Sequence, residues 1–314
     1  MSGRKEMDLK IEQWISEKLL NHGSEVKAWM THLSKNKTPM TRRAYLGYMN
    51  QYIQYCNKHK LKLLEIKPMH IDQYIDELKQ KGNGNEIINA KLSALISFYK
   101  FLQLNDLIIK NPCDKIEKLK IEDNHHIVSL TDKEINQIKN SIEKGNNRIR
   151  NQKFKSRDLA IIALGCSTGL RISEILNIDM EDINMENKTI EVIVKGDRRR
   201  TIYFGDNTKN LLQEWIDDRE MILDGAEINA LFINASNNRL GVNAVREMLK
   251  KETSGLDKHI TPHKMRSTCA MNLYDKTGDI YLVAEQLGHK NIKNTMIYAE
   301  ATEEKRRQAA EILD

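Results

Sequence analysis

Apolar residues recur at helical spacing through the first third of the chain, and short polar breaks separate the periodic stretches. Thr38-Pro39 is a start signal for a helix, because proline is favoured in the first helical turn. Two long apolar stripes follow, and each predicts a helix that buries one face. The predicted helices lie at residues 7–20, at 24–34, from Thr38-Pro39 onward, at 71–81 and around 88–102.

These helices predict a small bundle over residues 8–104. The stripe that begins at Tyr45 is rich in tyrosine, and we expect its rings to pack in the core rather than stack on bases. Arg42 and Arg43 precede that stripe and are candidates for contact with phosphate. Three polar residues of the last helix are expected to point away from the core: Asn85, Asn89 and Lys91.

The second half of the chain mixes helical and strand patterns. Thr131-Asp132-Lys133-Glu134 is a capping box ahead of a helix. Runs rich in β-branched residues predict strands at residues 189–194 and 200–204, joined by a hairpin loop at 195–199. The remaining predictions are helices at residues 159–164, 207–221 and 242–252, a short strand at 231–233, a helix from Pro262, a helix at 280–287 ended by Gly288, and a short helix or turn at 295–298.

A break near Asn111-Pro112 separates the two patterns, because the residue before a proline avoids the helical conformation. Residues 111–129 are polar and are interpreted as an inter-domain linker. We therefore predict a helical domain at residues 1–110 and a mixed α/β domain with a C-terminal tail at residues 130–314. The predicted fold class is mainly α with a small β-sheet.

The composition supports two globular domains, since the chain has 314 residues of which 40% are hydrophobic and 30% charged. Its start lacks the apolar run of a signal peptide, and no stretch approaches the roughly 18 apolar residues of a membrane helix. Four cysteines without CxxC spacing are expected to be reduced thiols with no metal framework. These features predict a cytoplasmic protein.

The net charge of +6 is unevenly distributed. Residues 1–110 hold 18 Lys and Arg against 11 Asp and Glu, whereas the remainder holds 32 against 33. A basic small domain is typical of a polyanion partner, although an ordinary solvated surface has the same composition. A basic cluster at residues 148–157 is either a patch for the backbone of such a polyanion or a solvated loop. Arg198, Arg199 and Arg200 are also expected to contact the polyanion backbone.

The candidate chemistry lies in the second half, as a set of basic and aromatic residues in fixed order. The order is Arg, Lys, His-x-x-Arg, His, Tyr, with 24 residues from the first Arg to the Lys, 23 from the second Arg to the second His, and 9 from there to the Tyr. Their motifs are Thr168-Gly169-Leu170-Arg171-Ile172-Ser173-Glu174, Lys195, Thr261-Pro262-His263-Lys264-Met265-Arg266, Leu287-Gly288-His289 and Tyr298. In order and spacing they resemble the active-site motifs of the tyrosine recombinases, the phage-integrase family.

Phosphate chemistry explains why these residue types belong together. Attack on a phosphodiester gathers negative charge on the non-bridging oxygens, and the planar guanidinium groups of Arg171 and Arg266 match that charge. A tyrosine hydroxyl such as that of Tyr298 is a possible covalent nucleophile, which splits one exchange into two transesterifications. His263 can add a hydrogen bond to the phosphate. A lysine whose pKa is lowered by neighbouring cations can protonate the leaving oxygen, and the resemblance assigns this role to Lys195. Arg198 to Arg200 could compete with Lys195 as this acid.

Each of these residues also has a plain structural interpretation. Tyr298 alone would be a half-buried packing residue. His289 after a glycine would stabilise the end of a helix. Arg171 would form a surface ion pair with Glu174. Arg266 would be a solvated helix charge, and the Lys195 segment a simple hairpin turn.

The resemblance implies a helical, SAM-like core-binding domain and a catalytic α/β domain that close as a C-shaped clamp on double-stranded DNA. It implies site-specific recombination through a 3′-phosphotyrosine intermediate, with Arg171, Lys195, His263, Arg266, His289 and Tyr298 as the catalytic set. A homodimer on each site and a homotetramer in synapsis are expected, with room for accessory DNA-bending proteins. Neither a cofactor nor a metal ion is expected.

Other functions remain open on the same residues. A type IB topoisomerase uses similar groups to relax DNA, and a non-catalytic DNA-binding protein can share the fold. A metal nuclease is disfavoured because no carboxylate cluster or His/Cys ligand set appears. His259 and His263 are four apart, but Pro262 lies between them and no glutamate does, so an HExxH zinc site is excluded. Residues 299–314 are either a tail that docks on a neighbouring protomer or a free or self-packed terminus.

Overall fold

The computed structural model describes residues 3–20, 22–121, 129–144, 153–194, 198–258, 260–289, 291–299 and 310–311. The chain divides into two compact units, Gly3–Asn124 and His125–Asp314. Both units are mainly helical, and the second holds a small sheet. This is the fold class that the sequence predicted.

The first unit is a helical bundle. Its described helices are α1 (Gly3–Leu19), α2 (Ser24–Ser34), α3 (Pro39–Lys58), α4 (Pro68–Gln80) and α5 (Asn85–Leu104), with a 3-10 turn at Leu63–Glu65. The predicted start of α3 is confirmed, because the backbone N–H of Thr41 donates to Thr38 Oγ1 at 3.3 Å and Pro39 takes the first helical position.

Aromatic side chains fill the centre of this bundle. Trp29, Tyr52 and Phe98 are completely buried, and the hydroxyls of Tyr52 and Tyr99 share a hydrogen bond of 3.2 Å. Tyr55 is buried as well. The prediction that the stripe tyrosines pack in the core is confirmed for Tyr52, and Tyr45 and Tyr48 are partly buried against the same core.

The arginines at the start of α3 hold α1 against the bundle. Arg42 is buried and forms an ion pair with Glu12 of α1. The guanidinium carbon of Arg43 lies 4.9 Å from the centre of the Trp14 ring, in cation–π geometry. Both guanidinium groups thus have partners inside the unit, and Arg43 stays exposed, so contact with phosphate remains a prediction.

The segment after α5 packs back onto that helix. Asn89 Nδ2 donates to Leu119 O at 2.8 Å, and Leu119 N donates to Asn89 Oδ1 at 2.9 Å. Cys113 is buried in the core of the unit. The expectation that Asn89 and Lys91 point away from the core is wrong, because both are buried. Residues 111–121 pack as part of the first unit, and the domain limits at 110 and 130 stay a prediction.

The second unit combines helices with a three-stranded antiparallel sheet of order β1-β2-β3. Its register places Val192 opposite Arg200, so the two predicted strands pair as a hairpin. The described elements are α6 (Asp132–Lys144), α7 (Lys155–Thr168), α8 (Ile172–Leu176), a 3-10 turn (Met180–Asp182), β1 (Ile183–Asn184), β2 (Thr189–Val194), β3 (Arg198–Tyr203), α9 (Asp206–Leu223), α10 (Val242–Glu252), α11 (Pro262–Thr277), α12 (Ile280–Leu287) and α13 (Lys293–Met296).

Local sequence signals placed several of these ends correctly. The predicted capping box before α6 is confirmed, because Thr131 N donates to Glu134 Oε2 at 2.7 Å and Glu134 N donates to Thr131 Oγ1 at 3.3 Å. α11 begins at Pro262, and Gly288 ends α12 with a φ of +63°. A helix end depends on residues within one or two helical turns of it, so a short sequence pattern is enough to predict it.

The apolar run at residues 231–233 was predicted as a strand, and this is wrong. The run is completely buried, but only two isolated bridges flank or touch it, Asp179 with Ala230 and Ile233 with Arg239. A short buried apolar run has no periodicity that separates a strand from other buried chain.

α7 is the central helix of the second unit. Its residues 159–164 are buried and apolar all round, and the helix packs against α9 and α11. The basic residues at its start serve the fold. Lys155 Nζ donates to Glu143 O at 2.6 Å, and Arg157 lies 4.4 Å over the Phe154 ring while it donates to Ile233 O at 3.0 Å.

The part of the predicted basic cluster before residue 153 lies outside the described residues, and so do most residues of the C-terminal tail. None of the described helices combines the length and the apolar character needed to cross a bilayer.

Candidate active site

A tight turn between α7 and α8 presents Arg171. Gly169 ends α7 with a φ of +67°, and a Cβ at this position would lie 2.8 Å from Cδ2 of Leu287. Both the left-handed backbone and the close contact require glycine. Arg171 then stands immediately before α8 with its side chain half exposed. The glycine turn predicted from the sequence is confirmed.

Glu174 engages Arg171 through both carboxylate oxygens. Its Oε2 accepts from the backbone N–H of Arg171 at 2.8 Å, and its Oε1 accepts from Nη1 at 2.9 Å. The plain interpretation of Arg171 as an ion-pair partner of Glu174 is therefore confirmed. The pair uses one of five side-chain N–H donors, so the guanidinium keeps capacity to bind an anion.

Arg266 joins the ends of two helices. Its Nη1 donates to Gly169 O at 2.5 Å, and its Nη2 donates to Leu287 O at 2.6 Å. Both carbonyls lie at C-terminal helix ends, where the helix dipole favours a cation. Arg266 is only 3% exposed, so it is not a solvated helix charge. Burial, followed by the charge of Arg171, lowers the pKa of Arg266 to about 10, and it stays protonated at neutral pH.

The end of α12 places His289. The backbone N–H of His289 donates to Ala284 O at 2.9 Å, just after Gly288 closes the helix. Its Nδ1 shares a 2.8 Å hydrogen bond with Oγ1 of Thr295, which is completely buried. The imidazole is thus fixed through both its backbone and its ring.

The two arginines act electrostatically on both histidines. Burial, and then the charges of Arg266 and Arg171, lower the pKa of His263. Burial, the same two charges and finally His263 lower the pKa of His289 to about 4. Both imidazoles are therefore neutral at neutral pH. These mutual effects define one cationic cluster, formed by Arg171, His263, Arg266 and His289.

Tyr298 packs behind this cationic cluster. It lies in the turn after α13, where its backbone N–H donates to Thr295 O at 2.9 Å. The residue is 4% exposed, so the packing role is confirmed. Tyr298 is also among the groups that act on the pKa of Arg266, which places its phenol within electrostatic reach of that guanidinium. Its buried apolar neighbours are Ala270, Val283 and Leu287.

Five of the six predicted site residues therefore come together in the second unit. Lys195, the sixth, lies outside the described residues, between β2 and β3. Within the described part of the chain, no group of three or more His, Cys, Asp or Glu side chains is arranged to hold a metal ion.

Arg200 lies near the site, and the sequence did not predict its contacts with the end of α12. It was expected to contact DNA backbone, but Nη1 donates to Glu285 O and Nη2 to Gln286 O, each at 3.2 Å. Gln286 in turn donates from Nε2 to Thr168 O at 2.9 Å, and Thr295 holds His289. The contacts of Arg200 and Gln286 have no sequence signature, because each joins elements that only the tertiary fold brings together.

The environment of His289 predicts a pH effect. Its pKa of about 4 in the folded protein lies below the ordinary value of 6.5, so the unfolded chain binds the proton more readily between these pH values. We expect the free energy of unfolding to fall as the pH drops from 6.5 towards 4. An NMR titration of the His289 ring should give a midpoint well below 6.5, and His289→Gln should reduce the pH dependence. A midpoint near 6.5 would contradict this electrostatic description.

Two family models match the chain. The model described as "Phage integrase family" covers residues 128–305, and "Phage integrase, N-terminal SAM-like domain" covers residues 26–105. The first match includes the whole cationic cluster and more than half of the chain. The protein therefore belongs to the phage integrase family, and the resemblance to tyrosine recombinases that the motifs predicted is confirmed. With it the enzyme class, a site-specific DNA strand-exchange enzyme, is confirmed as well.

Curated relatives and solved structures agree with this assignment. A tyrosine recombinase XerC of Leptospira interrogans is 29% identical over 286 residues, 87% of this chain and 86% of that protein. A tyrosine recombinase XerD of Chlorobaculum tepidum is 26% identical over 269 residues, 85% of this chain and 87% of that protein.

Two solved structures share the fold. The XerH recombinase bound to palindromic difH substrate, in a post-cleavage complex, has a TM-score of 0.69 and 22% identity over 90% of this chain and 84% of that one. The Tn1549 transposon integrase in complex with circular intermediate DNA has a TM-score of 0.68 and 22% identity over 92% of this chain and 99% of that one.

Proposed function

We propose that this recombinase cleaves and rejoins double-stranded DNA at a specific site through a covalent bond to Tyr298. The observation that carries the proposal is the cationic cluster of two arginines and two histidines, with a tyrosine packed behind it. The solved relatives bound to DNA support the same substrate class. The proposal assigns the cationic cluster to the scissile phosphate.

The cationic cluster has the charge balance of an anion site. The charge of Arg171 lowers the pKa of Arg266, which means that the two guanidinium groups repel one another in the free protein, and both charges keep the histidines neutral. A phosphate among them relieves that repulsion. Because Arg266 is fixed on two helix ends and His289 on Thr295, these donors need little reorganisation when charge develops on the phosphate oxygens.

In the proposed first step, the Tyr298 oxygen forms a bond to phosphorus while the bond from phosphorus to the 5′ oxygen breaks. His263, neutral at neutral pH, takes up the phenolic proton. Lys195 gives a proton to the leaving 5′ oxygen, and His289 hydrogen-bonds a non-bridging oxygen. The products are a 3′-phosphotyrosyl link and a free 5′-hydroxyl.

In the proposed second step, the 5′-hydroxyl of a partner strand attacks the phosphotyrosyl bond and releases Tyr298. The energy of the broken phosphodiester is kept in the intermediate, so the exchange needs no nucleotide hydrolysis. We propose a dimer on each recombination site and a tetramer in synapsis, since two sites must exchange strands. The reaction takes place where the DNA is, which in the bacteria of the compared relatives is the cytoplasm.

The test is covalent trapping on a nicked DNA site, for which the DNA flanking the encoding gene is the first source of candidates. A nick beside the cleaved phosphate lets the short 5′ end diffuse away, so the covalent adduct accumulates. We expect an adduct that survives denaturation and forms equally well in EDTA. DNA cleavage that is lost in EDTA and leaves no covalent adduct would indicate a metal nuclease. Binding without an adduct on a verified site would leave only a DNA-binding function, and relaxation of plasmids without site dependence would indicate a topoisomerase.

A further inference from the structure

Arg200 caps the C-terminal end of α12 from a different layer of the unit. It stands on β3, opposite Val192 of β2, and its two terminal nitrogens donate to Glu285 O and Gln286 O. The last carbonyls of a helix have no partner within the helix, and a cation there is also favoured by the dipole. Two hydrogen bonds from one guanidinium group thus join the sheet to α12.

Arg266 completes the same helix end. It donates to Leu287 O, so two arginines from separate elements bind three consecutive carbonyls at residues 285–287. The backbone turns directly after them into His289, whose ring is held by Thr295. The position of His289 therefore depends on where these two arginines hold the end of α12.

Gly288 leaves the space that Arg200 occupies. A Cβ added to Gly288 would lie 2.3 Å from Nη1 of Arg200, which is closer than any ordinary contact. Gly278, at the end of α11, is also left-handed, with φ of +65° against +63°, yet a Cβ there would have no atom within 4 Å. The glycine at 288 thus serves the arginine contact in addition to the left-handed turn.

We propose that Arg200 is a positioning residue for strand cleavage, which holds the end of α12 so that His289 faces the scissile phosphate beside Arg266. The inference rests on the proposed function. Arg200 itself acts through α12 and need not touch the DNA.

A fixed fork explains why an arginine is required here. The guanidinium spans two adjacent carbonyls with two parallel donors, whereas the single ammonium of lysine satisfies one direction at a time. Burial is the first cause of the lowered pKa of Arg200. The nearby positive charge of Arg171 lowers that pKa further. Alanine at position 200 removes both the charge and the fork, whereas lysine keeps the charge and removes the fork. Comparing the two variants therefore separates the effect of charge from that of geometry.

The experiment measures single-turnover cleavage of a nicked cognate site and DNA affinity for Arg200→Ala and Arg200→Lys. Arg219→Ala is the matched control, because Arg219 also binds two backbone carbonyls, those of Ala230 and Ile228, away from the cationic cluster. Rates are normalised to the folded fraction of each variant. We expect Arg200→Ala to lower the cleavage rate constant about 100-fold, the order expected when a reacting group is misplaced by about 1 Å.

DNA affinity should stay within about threefold of wild type, because many phosphate contacts share it. Arg200→Lys should restore only part of the rate, and Arg219→Ala should lower stability without this loss. Full restoration by lysine would make the effect one of charge and overturn the inference. Equal normalised losses in Arg200→Ala and Arg219→Ala would also overturn it. In both cases the wild-type adduct would still support the proposed function, whereas an absent wild-type adduct would contradict the function itself.

A second comparison uses the two glycines. Gly288→Ala and Gly278→Ala both place alanine in a left-handed turn, which strains the backbone in each variant. We expect Gly288→Ala to reduce the cleavage rate about tenfold more than Gly278→Ala does, because only Gly288 contacts Arg200. In an Arg200→Ala background this difference should vanish. A difference that persists there would show that Gly288 acts independently of Arg200.

Discussion

Tyr298→Phe is expected to abolish the covalent protein–DNA adduct while the protein stays folded and binds DNA. Removing an obligatory nucleophile should lower cleavage by at least about 10⁴-fold. The change deletes one oxygen and keeps the ring that packs against Val283 and Leu287. We therefore expect the free energy of unfolding to change by no more than about 1 kcal/mol. Trapping on a nicked site, thermal unfolding and DNA affinity together measure the three quantities.

Tyr281→Phe is the matched control for this substitution. Tyr281 lies on α12 and is 74% exposed, so it shares the residue type and the neighbourhood but not the burial. Its variant should form the adduct at the wild-type rate. An adduct that persists in Tyr298→Phe would move the nucleophile to another residue and would reduce Tyr298 to the packing role that its burial already explains.

The burial of Tyr298 has a consequence for how cleavage begins. Its hydroxyl belongs to a residue that is 4% exposed in the free protein, whereas the proposed attack requires contact with phosphorus. The turn that carries it is held through Thr295, which binds both the Tyr298 backbone and the His289 ring. Movement of this turn would therefore affect the nucleophile and His289 together.

The sequence predicted the cationic cluster more fully than it predicted the contacts that hold it. Gly169, Gly288 and the helix start at Pro262 follow from local backbone preferences, which a short pattern reveals. Arg200 and Gly288 meet across 88 positions of sequence, and their contact depends on the register of β3 and the direction of α12. A local sequence pattern therefore cannot predict that Arg200 and Gly288 come into contact.

The contacts of charged and polar side chains were the least predictable feature from sequence. Arg42 and Arg43 were candidates for phosphate contact, and the sequence did not reveal that Arg42 is buried in an ion pair with α1 or that Arg43 lies over the Trp14 ring. Asn89 read as a surface amide but hydrogen-bonds both backbone groups of Leu119. Long polar side chains can cover apolar surface or satisfy buried backbone groups, and composition does not separate these roles from solvation.

Replacing the two arginines of the cationic cluster should affect cleavage similarly but stability differently. Arg171→Ala and Arg266→Ala are each expected to lower cleavage by about 10³-fold, because each removes a fixed positive charge from the transition state. Their effects on stability should diverge. Arg171 is half exposed and its described partner is Glu174, so its loss should cost less than about 1 kcal/mol.

Arg266→Ala should cost about 3 kcal/mol in the free energy of unfolding, since it leaves Gly169 O and Leu287 O without their buried donor. Arg266→Lys should recover part of that stability, because one ammonium can reach one of the two carbonyls. Chemical unfolding and normalised single-turnover cleavage of the three variants separate the two quantities. Equal stability losses for Arg171→Ala and Arg266→Ala would contradict the assignment of Arg266 as the residue that joins α7 to α12.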